Sequence, residues 1–234
     1  EINNPKLSYV WSYCEASIWG AKAKGWNLAA KLMNHYLFGN GEEVDFSREL
    51  KLQISKDKEQ DNFWDQTIHN IIPPIVRPKE IISQDKLQNI KEKFGKGHLF
   101  TINLSSNLSH TDGTNLNWYY ALGRSTGTLQ SGVEERDGKV YLVNLRLKIK
   151  DKYVFRLNNM SVPRITDKII SGLGDSSGIS DFIRNTIGNK EEALAITESD
   201  LALLVDHGLA NEFELIAEVK KEGKYFLGKL ASSK

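Results

Sequence analysis

The sequence predicts an α+β fold, and two observations indicate it. Patterns typical of amphipathic helices dominate up to about Phe94, whereas alternating apolar and polar residues, typical of strands, dominate after Gly95. No repeat and no long linker separates the two stretches. We therefore divide the chain into a helical part, residues 1–94, and a β-rich part with late helices, residues 95–234, and expect one compact unit.

The most distinctive stretch runs from Trp26 to Ser55. Its first half has apolar and small residues at the spacing of one buried helix face, namely Ala29, Leu32, Met33, Tyr36 and Leu37. The Gly39-Asn40-Gly41 run is expected to end this helix, because glycine and asparagine accept the left-handed conformation that closes helices. Leu50, Leu52 and Ile54 then alternate with polar residues, which predicts a half-buried strand.

Two further helices are predicted before the β-rich part. One spans residues 59–71 and is stopped by Pro73-Pro74. Ser83 can cap the other, because a serine side chain accepts hydrogen bonds from the free N–H groups at a helix start. The expected inner faces are Phe63, Trp64 and Ile68 in the first helix, and Leu87, Ile90 and Phe94 in the second.

The β-rich part is predicted to contain two hairpins. A strand begins near His98, and Asp137-Gly138 is a favoured turn between strands at 128–136 and 139–150. In the second of these strands, the odd-numbered residues from Tyr141 to Ile149 are expected to face the core. A last hairpin turns at Glu222-Gly223, between strands at 212–219 and 224–230. Late helices are expected at about residues 180–187 and 199–206.

Composition excludes several classes of protein. The 31 basic and 30 acidic residues leave no large net field for a sequence-independent nucleic-acid binder, so we predict no nucleic-acid partner. Cys14 is the only cysteine, which excludes an intrachain disulfide and a cysteine-rich metal site. No apolar run is long enough to span a bilayer, so we predict no transmembrane segment. The first residue is glutamate, which favours a fragment or processed domain of a longer protein.

Two motifs resemble the colicin M family of bacteriocins, which destroy a cell-wall precursor. The first is the small-residue helix followed by the run His35–Glu42. The second is the run Asp151–Arg156, followed by Ser161–Arg164, and it resembles the segment that carries the family's essential residues. With gaps, the resemblance extends from about Trp26 to Gly174.

This resemblance implies an activity, a site and a setting. The implied activity is hydrolysis of the undecaprenyl-pyrophosphate-linked peptidoglycan precursor, with Asp151, Tyr153 and Arg164 as catalytic residues and Mg²⁺ bound through Asp151. The implied fold has its helical part packed on a mostly antiparallel, curved or barrel-like sheet. The implied protein is a secreted or delivered antibacterial toxin that acts in the periplasm of a target bacterium, makes peripheral contact with the membrane surface and has a cognate immunity protein.

Two positions depart from the family's pattern. Val154 stands where the family has a second acidic residue, and Pro163 stands where it has a histidine. Hydrolysis of a pyrophosphate needs an oriented and activated water, and neither side chain can transfer a proton. For the other histidines considered as replacements, His110 in a polar loop and His207 after a helix, a structural role is favoured.

Three hypotheses about function therefore stay open. The first is the precursor hydrolase. The second is a toxin domain on the same scaffold with a different target, since a fold does not fix a function. The third is a non-enzymatic binding module.

Overall fold

The computed structural model of the protein describes residues 4–56, 62–71, 81–108, 118, 121–122, 124–154 and 198–231. These residues confirm the α+β class, because helices accompany a mixed sheet of seven strands. They group into two compact units, each discontinuous in sequence. Unit 1 contains the described residues of Glu1–Glu43, Leu116–Ala121 and Lys152–Glu214, and unit 2 contains those of Val44–Asn115, Leu122–Asp151 and Leu215–Lys234.

The elements have the following bounds. The helices are α1 (Pro5–Ala23), α2 (Asn27–Phe38), α3 (Ser47–Ser55), α4 (Asn62–Ile71), α5 (Gln84–Lys96), α6 (Leu104–Asn107) and α7 (Glu198–Asp206). The strands are β1 (Val44–Asp45), β2 (Ile81–Ile82), β3 (His98–Asn103), β4 (Arg124–Arg136), β5 (Lys139–Tyr153), β6 (Phe213–Lys220) and β7 (Tyr225–Leu230).

Helices α1, α2 and α7 belong to unit 1. The Asn4 side chain caps α1 by accepting a 3.0 Å hydrogen bond from the N–H of Lys6. The predicted helix with an apolar stripe is confirmed as α2, although its buried set includes Leu28 and Ala30 in place of the expected Ala29 and Met33. The helix predicted at 199–206 is confirmed as α7.

The predicted strand from Leu50 to Ser55 is wrong, because these residues belong to helix α3. The Asp45 carboxylate accepts a 2.8 Å hydrogen bond from the N–H of Ser47, the first residue of the helix, and so satisfies one N–H that the helix itself leaves without a partner. Leu50 and Gln53 are the buried positions, at a spacing of three residues, while Leu52 is 53% exposed. The segment is rich in Arg, Glu, Leu, Lys and Gln, and their helix propensity outweighs a short alternation of apolar residues.

The two predicted helices of unit 2 are confirmed as α4 and α5. Their expected inner faces are buried, with Phe63, Ile68 and Ile90 fully inaccessible. The Ser83 side chain caps α5 by accepting from the N–H of Lys86 at 3.4 Å.

The sheet is mixed and open, so the expectation of a barrel-like sheet is wrong, whereas the longer strand pairs are antiparallel, as expected. The strand order is β1-β6-β5-β4-β3, with β2 joined through β7 to β5. Pairs β1–β6 and β2–β7 are parallel, whereas β3–β4, β4–β5 and β5–β7 are antiparallel. Strands β1 and β3 are the ends of the main order and are not paired with each other, so the sheet does not close.

The first predicted hairpin is confirmed and the last one is wrong. Asp137 and Gly138 have φ angles of 52° and 66°, the left-handed pair that a tight two-residue turn requires. Strands form close to the predicted positions on both sides of Gly223, but β7 pairs with β2 and β5. Strand β5 is long enough to pair with β7 at residues 139–142 and to neighbour β6 beyond them. The helix predicted at 180–187 lies outside the described residues.

None of the helices within the described ranges is long and apolar enough to span a bilayer.

Candidate functional site

Asp151 and Tyr153 lie at the C-terminal end of strand β5, two residues apart and therefore on one face of the strand. Both side chains are half-buried. The same face buries Leu145, Leu147 and Ile149 earlier in the strand. Asp151 is thus the first partly exposed residue after three buried residues on this face of β5.

A β-bulge decides which residues of β5 share that face. Gln130 pairs with Arg146 but Gly132 pairs with Val143, so β5 contains one residue more than β4 between these pairs. Asn144 lies at this point with a left-handed φ of 54°. An extra residue exchanges the two faces of a strand. Without the bulge, Asp151 would fall on the opposite face.

The bulge also corrects the prediction of a single core face along β5. The odd-numbered residues from Leu145 onward are buried as expected. Before the bulge the buried residues are the even-numbered Val140 and Leu142, while Tyr141 and Val143 are partly exposed. An uninterrupted period of two cannot describe a strand whose pleat is shifted by one residue.

Tyr153 belongs to an aromatic cluster in unit 1, which we define as Tyr36, Tyr153 and Phe213 with His35. The ring of Tyr153 stacks on Phe213 at a centroid distance of 4.9 Å and an interplanar angle of 21°. Tyr36 meets Tyr153 edge-on at 6.0 Å, and His35 meets Phe213 edge-on at 4.6 Å. Offset stacking and edge-to-face contacts are the favourable geometries for aromatic rings, so Tyr153 is held in place from two sides.

Tyr36 anchors the cluster to helix α7. Its side chain is fully inaccessible, and its hydroxyl donates a 2.7 Å hydrogen bond to the carbonyl of Leu201. The backbone N–H of Asn211 donates to the carbonyl of Tyr36 at 2.9 Å, and the Asn211 amide donates to the carbonyl of Gly39 at 2.8 Å. The end of α2 is therefore tied to the chain that leads into β6.

Gly39 and Gly41 both fit positions that need glycine, but only Gly41 has the left-handed conformation that the sequence predicts for this run. Gly39 has an extended backbone with φ of −79°, and a Cβ there would lie 2.3 Å from the carbonyl oxygen of His35. Gly41 carries the left-handed conformation, with φ of 80°. The glycine at 39 thus allows close packing, and the one at 41 allows the turn.

Three ionisable side chains of unit 1, those of Cys14, Tyr36 and Tyr153, have a raised pKa and are neutral near pH 7. Burial raises the pKa of the Cys14 thiol to about 12, and the neighbouring Glu15 adds to the shift. Burial also raises the pKa of Tyr36 and of Tyr153 well above that of a free tyrosine, and the Cys14 thiol adds to both shifts. At neutral pH these groups can donate hydrogen bonds, but they cannot act as bases or as a thiolate nucleophile.

The site expected from the sequence is described in part. Arg164 and Pro163 lie outside the described residues, as does His110. Val154 follows β5 and is half-buried. Lys152, between the two predicted site residues, pairs with Glu212 at 3.0 Å.

Asp151 is the residue to which the resemblance assigns Mg²⁺. Within the described ranges, no three His, Cys, Asp or Glu side chains are close enough together to hold a metal ion. Mg²⁺ is usually held by one or two carboxylates together with substrate phosphates rather than by a complete protein cage. A half-buried carboxylate such as that of Asp151 could contribute to a site of that second kind.

The sequence did not identify the contact between Tyr36 and Tyr153. Tyr36 lies in the predicted buried face of helix α2, and Tyr153 lies in the motif Asp151–Arg156. A ring contact between residues so distant in sequence has no local pattern. The only available signal was that both segments carry the same family resemblance.

Comparisons with known proteins add no assignment: no family model, no curated protein and no solved structure matches the chain.

Proposed function

We propose that this chain is an antibacterial toxin domain of the colicin M type, which hydrolyses the undecaprenyl-pyrophosphate-linked peptidoglycan precursor. The observation that carries the proposal is the contact of Tyr36 with Tyr153 at 6.0 Å. Each of the two residues lies in one of the two motifs that resemble the family. Motifs that are distant in sequence and packed together in space are expected if both serve one activity.

Asp151 is assigned the chemical role in this proposal. It is a half-buried carboxylate, and Tyr153, two residues later on the same strand, is fixed by its stacked and edge-on neighbours. A group on a regular strand is held more precisely than one on a loop, which favours catalysis. The carboxylate can orient and activate the attacking water, or bind a cation that the substrate brings.

The other requirements of the reaction are assigned to residues beyond Asp151. Arg164 can neutralise phosphate charge through paired N–H donors. Mg²⁺, when bound, would screen the remaining charge of the pyrophosphate. The proton transfer that the family assigns to its histidine has to be supplied by another group, since Pro163 cannot perform it. Tyr153 serves in this account by positioning the end of β5.

A growth experiment separates this proposal from its alternatives. The chain is expressed in a susceptible bacterium with an export signal, and separately without one, while the pool of lipid-linked precursor is measured. We expect lysis and loss of the precursor only for the exported form. Asp151→Asn removes the charge but keeps the shape, and should lower hydrolysis by about two to four orders of magnitude.

The matched control is Asp137→Asn, at the exposed hairpin turn between β4 and β5. It should remain as toxic as the unmodified chain. Lysis that persists in Asp151→Asn with an intact precursor pool would instead favour a toxin with another target. Absence of toxicity together with tight binding of the precursor would favour the binding module.

A cognate immunity protein and delivery from a producing cell belong to the same proposal. A toxin that acts in the periplasm endangers its own producer, which therefore needs a neutralising partner. Co-expression with the product of a neighbouring gene would test this part, with survival as the expected result.

A further inference from the structure

The hydroxyl of Ser125, near the start of strand β4, is buried without a hydrogen-bond partner. The residue is 3% exposed, and its Oγ makes no hydrogen bond within the part of the chain that the structure describes. A buried hydroxyl without a partner costs free energy, because folding removes it from water and supplies no bond in return. One explanation for such a group is a catalytic role, in which a substrate or a reacting water supplies the missing bond.

Two other hydroxyls of unit 2 are buried to a similar degree, and both are bonded. Thr67 is inaccessible and donates to the carbonyl of Phe63 at 2.7 Å. Ser131 is 4% exposed and donates to the carbonyl of Val143 at 2.9 Å. Burial alone therefore does not account for the state of the Ser125 hydroxyl.

The register between β4 and β5 brings Ser125 next to Asp151. The last pair of this register joins Thr126 to Lys150, so the next step sets Ser125 opposite Asp151. Opposite residues of an antiparallel pair point to the same side of the sheet, with Cβ atoms about 4.5–5.5 Å apart. Both residues belong to unit 2. The unpartnered hydroxyl is therefore a close neighbour of the carboxylate to which the proposed function assigns the chemistry.

The neighbour of Ser125 on its other side is apolar. Ser125 pairs with Ile102 of β3, which is 1% exposed. An isoleucine side chain offers the hydroxyl no hydrogen bond. Asp151, by contrast, is half-buried. The row across the three strands therefore becomes polar and partly accessible in the direction of Asp151, and water can approach the hydroxyl from that side.

A hydroxyl and a carboxylate in neighbouring positions can hold one water molecule between them. The carboxylate accepts one hydrogen of the water, and the hydroxyl oxygen accepts the other. The lone pairs of the water are then directed at an electrophile. The hydrogen of the hydroxyl remains available to a phosphoryl oxygen as negative charge develops there. A water held in one orientation lowers the entropic part of the barrier.

We propose that Ser125 is a catalytic residue that orients the attacking water together with Asp151. This inference rests on the proposed function, in which Asp151 activates a water to hydrolyse a lipid-linked pyrophosphate. The water oxygen forms a bond to phosphorus, and one water proton passes to the Asp151 carboxylate. The bond between that phosphorus and the lipid oxygen breaks. The lipid oxygen takes a proton from solvent water, and Asp151 afterwards returns its proton to solvent.

The test measures stability and turnover in the full chain carrying Ser125→Ala. Urea unfolding gives the stability, and release of the soluble sugar pyrophosphate from the lipid-linked precursor with Mg²⁺ gives kcat and KM. The midpoint of urea unfolding should rise, because the variant lacks a hydroxyl whose burial is uncompensated. The value of kcat should fall about a hundredfold. KM should change little, because the lost contact is made to the reacting water.

The matched control is Thr67→Val, which removes a buried hydroxyl of the same unit without changing the shape of the side chain. The Thr67 hydroxyl donates to Phe63 and accepts from the Asn107 amide at 3.0 Å. Its loss should lower the urea midpoint, because the groups that it bonds are buried, and should leave kcat unchanged. A purely structural role cannot make Ser125→Ala both more stable and slower, so the two readouts together separate catalysis from structure.

Two results would overturn the role of Ser125 while the proposed function stands. One is an unchanged kcat in Ser125→Ala, including a loss confined to KM. The other is a lower urea midpoint for Ser125→Ala, which would show that the hydroxyl has a structural partner in solution, such as a permanently bound water. Absence of turnover by the folded, unmodified chain would refute the proposed function and the role of Ser125 with it, so the two failures are distinguishable.

Discussion

The aromatic cluster of unit 1 consists of closely packed rings, whereas the exposed side of β5 and β6 in unit 2 carries charged side chains, with Arg146, Lys148 and Lys220 grouped around Glu218. The cluster fixes the position of Tyr153 through contacts that depend on shape and burial. The ion pairs around Glu218 are partly exposed, so solvent and salt screen them. The cluster is therefore suited to positioning groups, whereas these exposed ion pairs are expected to contribute little to stability.

The largest effect is expected from removing the centre of the cluster. Tyr36→Ala should lower the free energy of unfolding by about 3–5 kcal/mol, because it deletes a fully buried ring and leaves a cavity. Tyr36→Phe keeps the ring but removes the hydroxyl and its hydrogen bond to the carbonyl of Leu201, and should cost about 1 kcal/mol. Urea unfolding measures both values.

The control for Tyr36 is Trp19, a large ring that is 61% exposed. Trp19→Ala also removes a contact with the Lys22 ammonium, 5.2 Å from the ring, and should cost no more than about 1 kcal/mol. Equal losses for Tyr36→Ala and Trp19→Ala would contradict the view that the cluster is a packing centre.

A smaller effect is expected from alkaline titration of the buried thiol. The pKa of Cys14 is about 12 in the folded chain, and an unfolded thiol titrates near pH 8.5. A raised folded pKa gives stability that is fully present below the unfolded pKa and is lost as pH rises toward the folded one. Above about pH 9, stability should fall by about 1.4 kcal/mol per pH unit for this group.

Cys14→Ala provides the comparison, because it lacks the titrating group. Its stability should be less sensitive to pH between about pH 9 and 10, before the tyrosines of the unfolded chain titrate. In the folded, unmodified chain, a thiol reagent at pH 8 should react slowly. A rapid reaction, or a pH dependence that Cys14→Ala leaves unaltered, would refute this account of the buried thiol.

The smallest effect is expected at the bulge that turns Asp151 to its face. Asn144→Gly should stabilise the chain by up to about 1 kcal/mol, because a left-handed φ of 54° is unstrained for glycine. Asn144→Val should destabilise it by about 1–2 kcal/mol, because a β-branched residue resists this conformation. If Asn144→Val has a higher free energy of unfolding than Asn144→Gly, the bulge does not persist in solution.

Sequence patterns identified the elements whose signals are local. The Asp137-Gly138 turn, the Ser83 cap and the inner face of α4 each depend on residues within a few positions of one another, and all three are confirmed. Asp151 and Tyr153 were chosen from a motif, and β5 places them on one face as a period of two requires.

The errors arose where pairing with distant residues decides the structure. The bulge at Asn144 is defined by the register of β5 against β4. Strands β6 and β7 do not pair with each other, because β6 lies between β1 and β5 whereas β7 pairs with β2 and β5. Helix α3 shows that the helix propensity of a segment can outweigh three alternating apolar residues, which alone predict a strand. The contact between Tyr36 and Tyr153 joins two distant segments, so no window of sequence could reveal it.

The most direct measurement is release of the soluble sugar pyrophosphate from purified lipid-linked precursor with Mg²⁺, for the unmodified chain, Asp151→Asn and Asp137→Asn. The account predicts turnover by the unmodified chain and Asp137→Asn, and a loss of about two to four orders of magnitude in Asp151→Asn. Absence of release by a folded, unmodified chain, or equal release by Asp151→Asn, would contradict it.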